Sequence, residues 1–266
     1  VGKLCLIAQP ADIALAQKYA IQGLEVHGQS PIIHAMQGDI FFAGKNYGDA
    51  ANSFQRALYY KADDAQSQRK IGLVYAVTKN YAQALEAFQQ SAKTNPRGVR
   101  VYQNLGDLYY TFGKYADADK AYATYLANVT PTQEDIERYA FTLFYAKKYD
   151  ESSKLIEGLI EKTERPAVLY RLKGYMAHEM KHNEEGRTFM EKFFAVQKQE
   201  NILPSDYGCY GELLAALNND SLAIVQLEKA VLADTTSMEY MDDLAKVLSK
   251  NKQHDRVIPI FEKMIA

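Results

Sequence analysis

The feature that most constrains this chain is a period of 34 residues, which emerges when the sequence is laid against itself. Glycine recurs at Gly38, Gly72 and Gly106, and tyrosine at Tyr47, Tyr81, Tyr115 and Tyr149. The aromatics Phe54, Phe88 and Tyr122 and the alanines Ala50, Ala84 and Ala118 keep the same step. Four columns in one register do not arise by chance. They imply a stack of like units, each too small to bury its apolar face alone.

Counted from Pro31, the units span 31–64, 65–98, 99–132, 133–166 and 167–200 without a gap. Asn201, Ile202 and Leu203 read as an insertion, and the phase resumes at 204–237, with Gly211, Ala223 and Ala230 in their columns. Residues 238–266 form an incomplete last unit. Residues 1–30 read as a partial leading one, with Asp12, Ala16, Gly23 and Leu24 in second-helix positions. A single solenoid over 1–266 is therefore expected.

Apolar residues fall at unit positions 4, 7, 8 and 11 (Tyr102, Leu105, Gly106, Tyr109) and at 20, 24, 27 and 28 (Ala50, Phe54, Ala57, Leu58). Such i, i+3, i+4 stripes predict two amphipathic helices per unit. Small residues at 8 and 20 let the paired helices approach, and large ones at 11 and 24 are expected to fill the gap between neighbouring pairs. The polar turns before Tyr47, Tyr81, Tyr115 and Tyr149 are expected to close on a buried ring. Pro96, Pro131 and Pro166 lie between units, where proline ends one helix or opens the next. Pro259 falls near the start of the last helix, so a slightly deformed final unit is expected.

The pattern Gly, Tyr, Ala, Phe/Tyr, Ala, Pro at positions 8, 11, 20, 24, 27 and 32 resembles the tetratricopeptide repeat. It extends over nearly the whole chain and is strongest from 31 to 132. Beyond that, Ala140 and Ala245 replace the first-helix glycine, Ser152 and Gly186 the second-helix alanine, and Asn183 and Asp220 the turn tyrosine. The resemblance implies an all-α fold, a right-handed superhelical solenoid of antiparallel helix pairs, with a concave face lined by first-helix positions 2, 5, 6, 9, 12 and 13. On that implication a partner-binding groove is built from Arg69, Lys70, Arg100, Gln103, Asn104, Asp107, Tyr110, Arg138, Phe141, Tyr145 and Tyr175. Gln66, Leu73, Glu134, Glu137, Phe144, Arg171 and His178 belong to the same face, and Glu212, Glu239, Asp242 and Asp243 outweigh Lys246 at its far end. The groove then runs from basic through aromatic to acidic, with guanidinium and amide groups to grip carboxylates and backbone and rings to anchor apolar area.

Chaperone-binding members of the family hold a C-terminal carboxylate with Lys, Asn, Asn, Lys and Arg at positions 5, 9, 6, 2 and 6 of successive repeats. Arg69, Asn104 and Arg138 match three of those places here. Leu73 replaces an asparagine, and Glu134 puts an acid where a cation is needed, which repels the carboxylate.

Bulk properties narrow the remaining classes. Apolar residues make up 47% and charged residues 24%, and the net charge of −2 gives no reason to expect nucleic acid. No apolar run approaches the roughly 18 residues of a membrane span. Two cysteines, Cys5 and Cys209, read as packing residues rather than a disulfide framework and leave the compartment open. A start at Val1 and an end in helical pattern lead us to expect a trimmed or mature chain, with a periplasmic or secreted bacterial location and a cytoplasmic one both open.

One string suggests chemistry. His178-Glu179-Met180-Lys181-His182 spells the zinc-peptidase pattern, which needs both histidines on one helical face. Positions 12 and 16 of the unit put a turn between them, and no third ligand follows at the required spacing. No metal or cofactor is expected. The leading expectation is a non-enzymatic scaffold holding a protein or peptide partner. A structural subunit, self-associating through an apolar stripe of Ile260, Phe261, Met264 and Ile265, is the alternative, and a zinc hydrolase the remote one.

Overall fold

The computed structural model describes residues 13–160, 163, 164 and 166–265, the side chains at 263 and 265 excepted. Cys5 and Asp12 lie outside the described residues. The chain divides into two compact units, Val1–Pro131 and Thr132–Ala266. The first holds α1 (Ile13–Val26), α2 (Pro31–Ala43), α3 (Tyr47–Tyr60), α4 (Ala65–Val77), α5 (Tyr81–Thr94), α6 (Val99–Thr111) and α7 (Tyr115–Leu126). The second holds α8 (Gln133–Tyr145), α9 (Tyr149–Ile160), α10 (Pro166–Glu179), α11 (Asn183–Val196), α12 (Pro204–Ala216), α13 (Asp220–Ala233), α14 (Met238–Lys250) and α15 (His254–Ile265). Among the described residues there is no strand.

Local chemistry starts these helices where they start. Asp64 accepts the Ser67 amide at 3.0 Å to open α4, and Pro31 follows the capping Ser30 to open α2. Thr132 and Asp135 form a capping box at the head of α8. The helices end by a device the sequence reading missed. Lys45, Lys79, Gly113, Lys147, Lys181, Asn218 and Lys252 all adopt φ between 58° and 68°, each at position 15 of its unit. The following amide then reaches back to the helix, as Asn80 N–H does to the Tyr75 carbonyl at 2.8 Å and His182 N–H to Ala177 at 2.8 Å. This is the Schellman closure, in which a left-handed residue satisfies the last carbonyls and turns the chain.

Helices pair as α2/α3, α4/α5 and α6/α7, and each first helix also packs on the second helix before it. That double contact widens the buried stripe beyond the expected positions. Val101 and Leu108, at positions 3 and 10, are buried, whereas Tyr102 and Tyr109 are only half-buried. The ring at position 24 also works differently from the expectation. Phe88 covers Gly72, where an added Cβ would stand 2.6 Å from the ring, and it simultaneously meets Val101 and Leu105 of the next pair. It therefore fills space within its own pair as well as between pairs. The turn tyrosines are half-buried rather than buried, because their rings meet neighbours edge-on near the surface. Tyr81 lies 5.4 Å from Phe112 at 89°.

In the second unit the departures from the repeat compensate one another. Ala140 stands in the glycine column, and its partner at position 24 is the smaller Ile156. Ser152, buried in the alanine column, spends its hydroxyl on the Ala140 carbonyl at 2.8 Å. The inserted segment forms a 3₁₀ turn at Gln199–Asn201, and Ile202 joins the core of Met190, Phe193 and Leu213. α15 continues through Pro259, its sixth residue. The expected terminal stripe is corrected here. Val257 is buried and Ile260 packs on the core of α13 and α14, while Ile258 and Phe261 are 56% and 46% exposed.

Candidate partner-binding surface

In each unit the first helices of successive pairs touch, α4 with α6, α8 with α10, α10 with α12 and α12 with α14. Their outward positions therefore share one face, which carries the groove residues.

In the first unit that face holds one cavity between α2 and α4, beside Asp39 and Lys70, and two more along α4 and α6. Of these two, one, of about 280 Å³, has an apolar floor of Leu73, Val77, Phe88 and Leu108, with Asn104 and Asp107 at its edge. The other, of about 260 Å³, lies beside Arg69 and Arg100. Arg69 Nη1 donates to Asn104 Oδ1 at 3.3 Å, so one hydrogen bond links a side chain of the latter cavity to a side chain of the former. Arg100 Nη1 donates to Gln103 Oε1 at 3.2 Å. Burial first, and then the neighbouring Arg100 charge, pull the Arg69 guanidinium below its ordinary pKa. Asp107 accepts from the Tyr122 hydroxyl at 2.5 Å, and the Tyr110 ring meets Tyr115 edge-on at 5.5 Å. Lys70 corrects the expectation of a row of available cations. Its ammonium is paired with Asp39 and lies 5.9 Å from the Phe54 ring centroid.

The second unit presents a more closed surface than expected. Arg138 pairs with Glu134 at 2.9 Å, and Glu137 is buried and accepts from Gln133 at 2.7 Å. Phe141 packs into the core of Ala140, Ile156 and Leu172. Tyr145 is exposed at 45% beside the Phe144 ring. Tyr175, expected as an anchor for a partner, is committed internally. Its hydroxyl donates to Asp206 Oδ1 at 2.7 Å and lies 3.0 Å from Ser205, and burial pushes its pKa far up.

Asp206 is the residue that sequence reasoning overlooked. It is fully buried and accepts from the Leu203 amide, the Tyr175 hydroxyl and Arg171 Nη2, each at 2.7 Å. The Arg171 guanidinium sits 4.7 Å from the Phe193 ring centroid and also donates to the Asn201 carbonyl at 2.8 Å. An acid at position 3, directly after a three-residue slip, was the available signal. The network fastens the insertion to the face, so Arg171 serves the fold.

The two histidines of the peptidase-like string part company. His178 lies in the last turn of α10 and bonds Glu212 at 2.9 Å, whereas His182 caps α11 beside Glu185 at 3.6 Å, with Lys181 at φ 60° between them. Among the described residues no group of three His, Cys, Asp or Glu side chains is placed to hold a metal ion. Cys209 lines a cavity with Tyr175, Glu212 and Tyr240, and burial, then Glu212 and Asp206, push its thiol pKa up. No helix among the described residues is long and apolar enough to cross a membrane.

The tetratricopeptide repeat family matches this sequence over residues 11–68 and 69–131. No curated protein sequence matches. Among solved structures, the C-terminal part of a repeat-containing protein of this kind from Cytophaga hutchinsonii has a TM-score of 0.65 at 14% identity, covering 92% of this chain and 99% of that one. A tetratricopeptide repeat protein from Parabacteroides merdae has a TM-score of 0.53 at 18% identity, over 90% and 93%. YrrB, a repeat protein with an unusual peptide-binding site, has a TM-score of 0.59 at 14% identity, over 72% and 97%. At these identities the likeness is one of fold.

Proposed function

Because the chain is a tetratricopeptide repeat protein, we propose that it is a non-catalytic scaffold whose face on α4 and α6 holds an extended segment of a protein partner. The observation that carries this reading is the adjacency of an apolar and a cationic cavity, joined by the Arg69–Asn104 hydrogen bond. An extended segment advances about 3.3 Å per residue with side chains alternating, so neighbouring residues can address neighbouring cavities. The apolar cavity supplies desolvated anchor area and the arginines supply charge-assisted hydrogen bonds. The peptide site of the similarly folded YrrB supports the same use of this fold.

The test uses a peptide selected from a random library on the intact protein. Leu73→Arg fills the apolar cavity with charge, and Asn104→Ala removes the joining hydrogen bond. Each should weaken the selected peptide at least ~tenfold, equal to about 1.4 kcal/mol. Glu86→Lys, on the exposed side of a second helix, should leave it unchanged. Equal binding by all three variants sinks the reading.

A second reading rests on Ile258 and Phe261, two exposed apolar side chains on α15. Self-association through them would cover both. Sedimentation should then show a dimer that the Ile258→Glu, Phe261→Glu variant converts to monomer; a monomer at all concentrations excludes it.

A further inference from the structure

The cavity beside Arg69 and Arg100 contains more positive charge than its surroundings cancel. Asp and Glu are absent from its lining. Among the described residues neither arginine forms an ion pair, and each has a single neutral amide acceptor, Asn104 for Arg69 and Gln103 for Arg100. Asp39 attracts Arg69 from a distance, but its own carboxylate is taken by Lys70. Two like charges held together without a counter-ion repel each other, as the effect of Arg100 on Arg69 records. Arg69 is half-buried, so water screens that repulsion incompletely.

An independent feature converges on the same space. The N-terminus of α6 opens into the cavity through Gly98, Val99 and Arg100. Its N-cap, Gly98, has no side chain to accept an amide, whereas Asp64 of α4 and Thr132 of α8 each accept the third one. Val101 N–H turns back to the Gly98 carbonyl at 3.2 Å, while the amides of Val99 and Arg100 meet no acceptor among the described residues. Asn95 contributes a carboxamide at the rim, with its Nδ2 close to Gly98. Guanidiniums from α4 and α6, two helix amides and a carboxamide thus surround one volume with donors and positive potential.

We propose that this cavity is a phosphoryl site, which receives a phosphorylated side chain of the segment held on α4 and α6. The choice of anion follows from charge and oxygen count. A carboxylate brings one charge and two oxygens, and would leave one guanidinium uncancelled. A phosphomonoester brings about −1.5 to −2 and three acceptor oxygens, enough to engage both guanidinium forks and the helix amides. The proposal rests on the groove reading for the identity of the occupant, because the apolar cavity reached through Asn104 would take the neighbouring side chain of the same segment.

Two probes separate the site from the segment. Phenyl phosphate, titrated at pH 7.5 and followed by amide NMR, should shift Val99 and Arg100 and bind at least ~fivefold more tightly than acetate. The preference should shrink at pH 5, below the phosphate's second pKa of about 6, where the ligand loses charge. No side chain lining the cavity titrates in that interval. Arg69→Gln with Arg100→Gln should abolish the shifts. Arg69→Lys, which keeps the charge but loses the fork, should retain only part of the affinity. The second probe is a random peptide library centred on phosphoserine, compared with the same library carrying serine. The intact protein should retain the phosphorylated library preferentially, and the double glutamine variant should not. Equal retention of both libraries overturns the proposal while leaving the groove reading intact. Phenyl phosphate binding without library preference overturns it in favour of a free-phosphate site. Acetate binding as tightly as phenyl phosphate overturns it outright, and retention of neither library defeats the groove reading as well.

Discussion

At the residue scale, seven residues decide where the chain turns, and six of them are poorly suited to their backbone. Lys45, Lys79, Lys147, Lys181, Asn218 and Lys252 occupy the left-handed region that Gly113 occupies without strain. An L-residue there costs about 1–2 kcal/mol, partly offset by the greater chain entropy that glycine loses on folding. Lys79→Gly should therefore stabilise the protein by about 0.5–1 kcal/mol, and Gly113→Ala should destabilise it by about 1 kcal/mol. Urea denaturation midpoints at unchanged slope read both, and a destabilised Lys79→Gly would refute the account of the turns. The sequence shows the polar composition of these turns but conceals their geometry, since lysine is an ordinary surface residue by composition. Glycine at 113 was the visible member of a column whose other members carry side chains.

At the element scale, the 34-residue columns made helix pairing legible, because glycine opposite a large ring is a steric requirement and leaves a trace in sequence. Positions 3 and 10 escaped because a helix packed on two neighbours buries two stripes, and the second is mixed in character: Val101, Ser67 and Asp206 at position 3, Leu108 and Thr142 at position 10. The candidate site was legible in part. Arg69, Arg100, Gln103 and Asn104 do share a face, whereas Lys70 is spent on Asp39 and Tyr175 on Asp206, partners about one repeat away that spacing alone does not reveal. The Arg171–Asp206 pair carries the strongest stability prediction. Arg171→Ala leaves a fully buried carboxylate without its cation and should cost about 3–5 kcal/mol. Arg171→Met with Asp206→Leu removes both charges and should recover much of that loss, read as thermal midpoints of the three proteins. Equal midpoints for wild type and Arg171→Ala would show that the pair does not fasten the insertion.

At the scale of the whole molecule, stability within each compact unit is a sum over neighbours, because its helices pack against those next to them in sequence. Damage should then stay local. In Arg171→Ala, amide exchange should accelerate at least ~tenfold in α10 to α12 and stay unchanged in α4 to α6, as measured by hydrogen exchange with mass spectrometry. Uniform acceleration would mean that the two compact units open as one. The same modularity explains how one unit can keep a strict repeat and a cation-rich face while the other accepts an insertion and turns its polar side chains inward.

The claim on which the functional account depends is that the face of α4 and α6 holds the partner segment. A spin-labelled copy of a library-selected peptide, bound to the intact protein, tests it directly through paramagnetic broadening of amide NMR signals. The account predicts broadening at Arg69, Leu73, Arg100 and Asn104, with Glu86 and Lys120 on the second helices unaffected. Broadening confined to the second helices, or absent from all of α4 and α6, would contradict it.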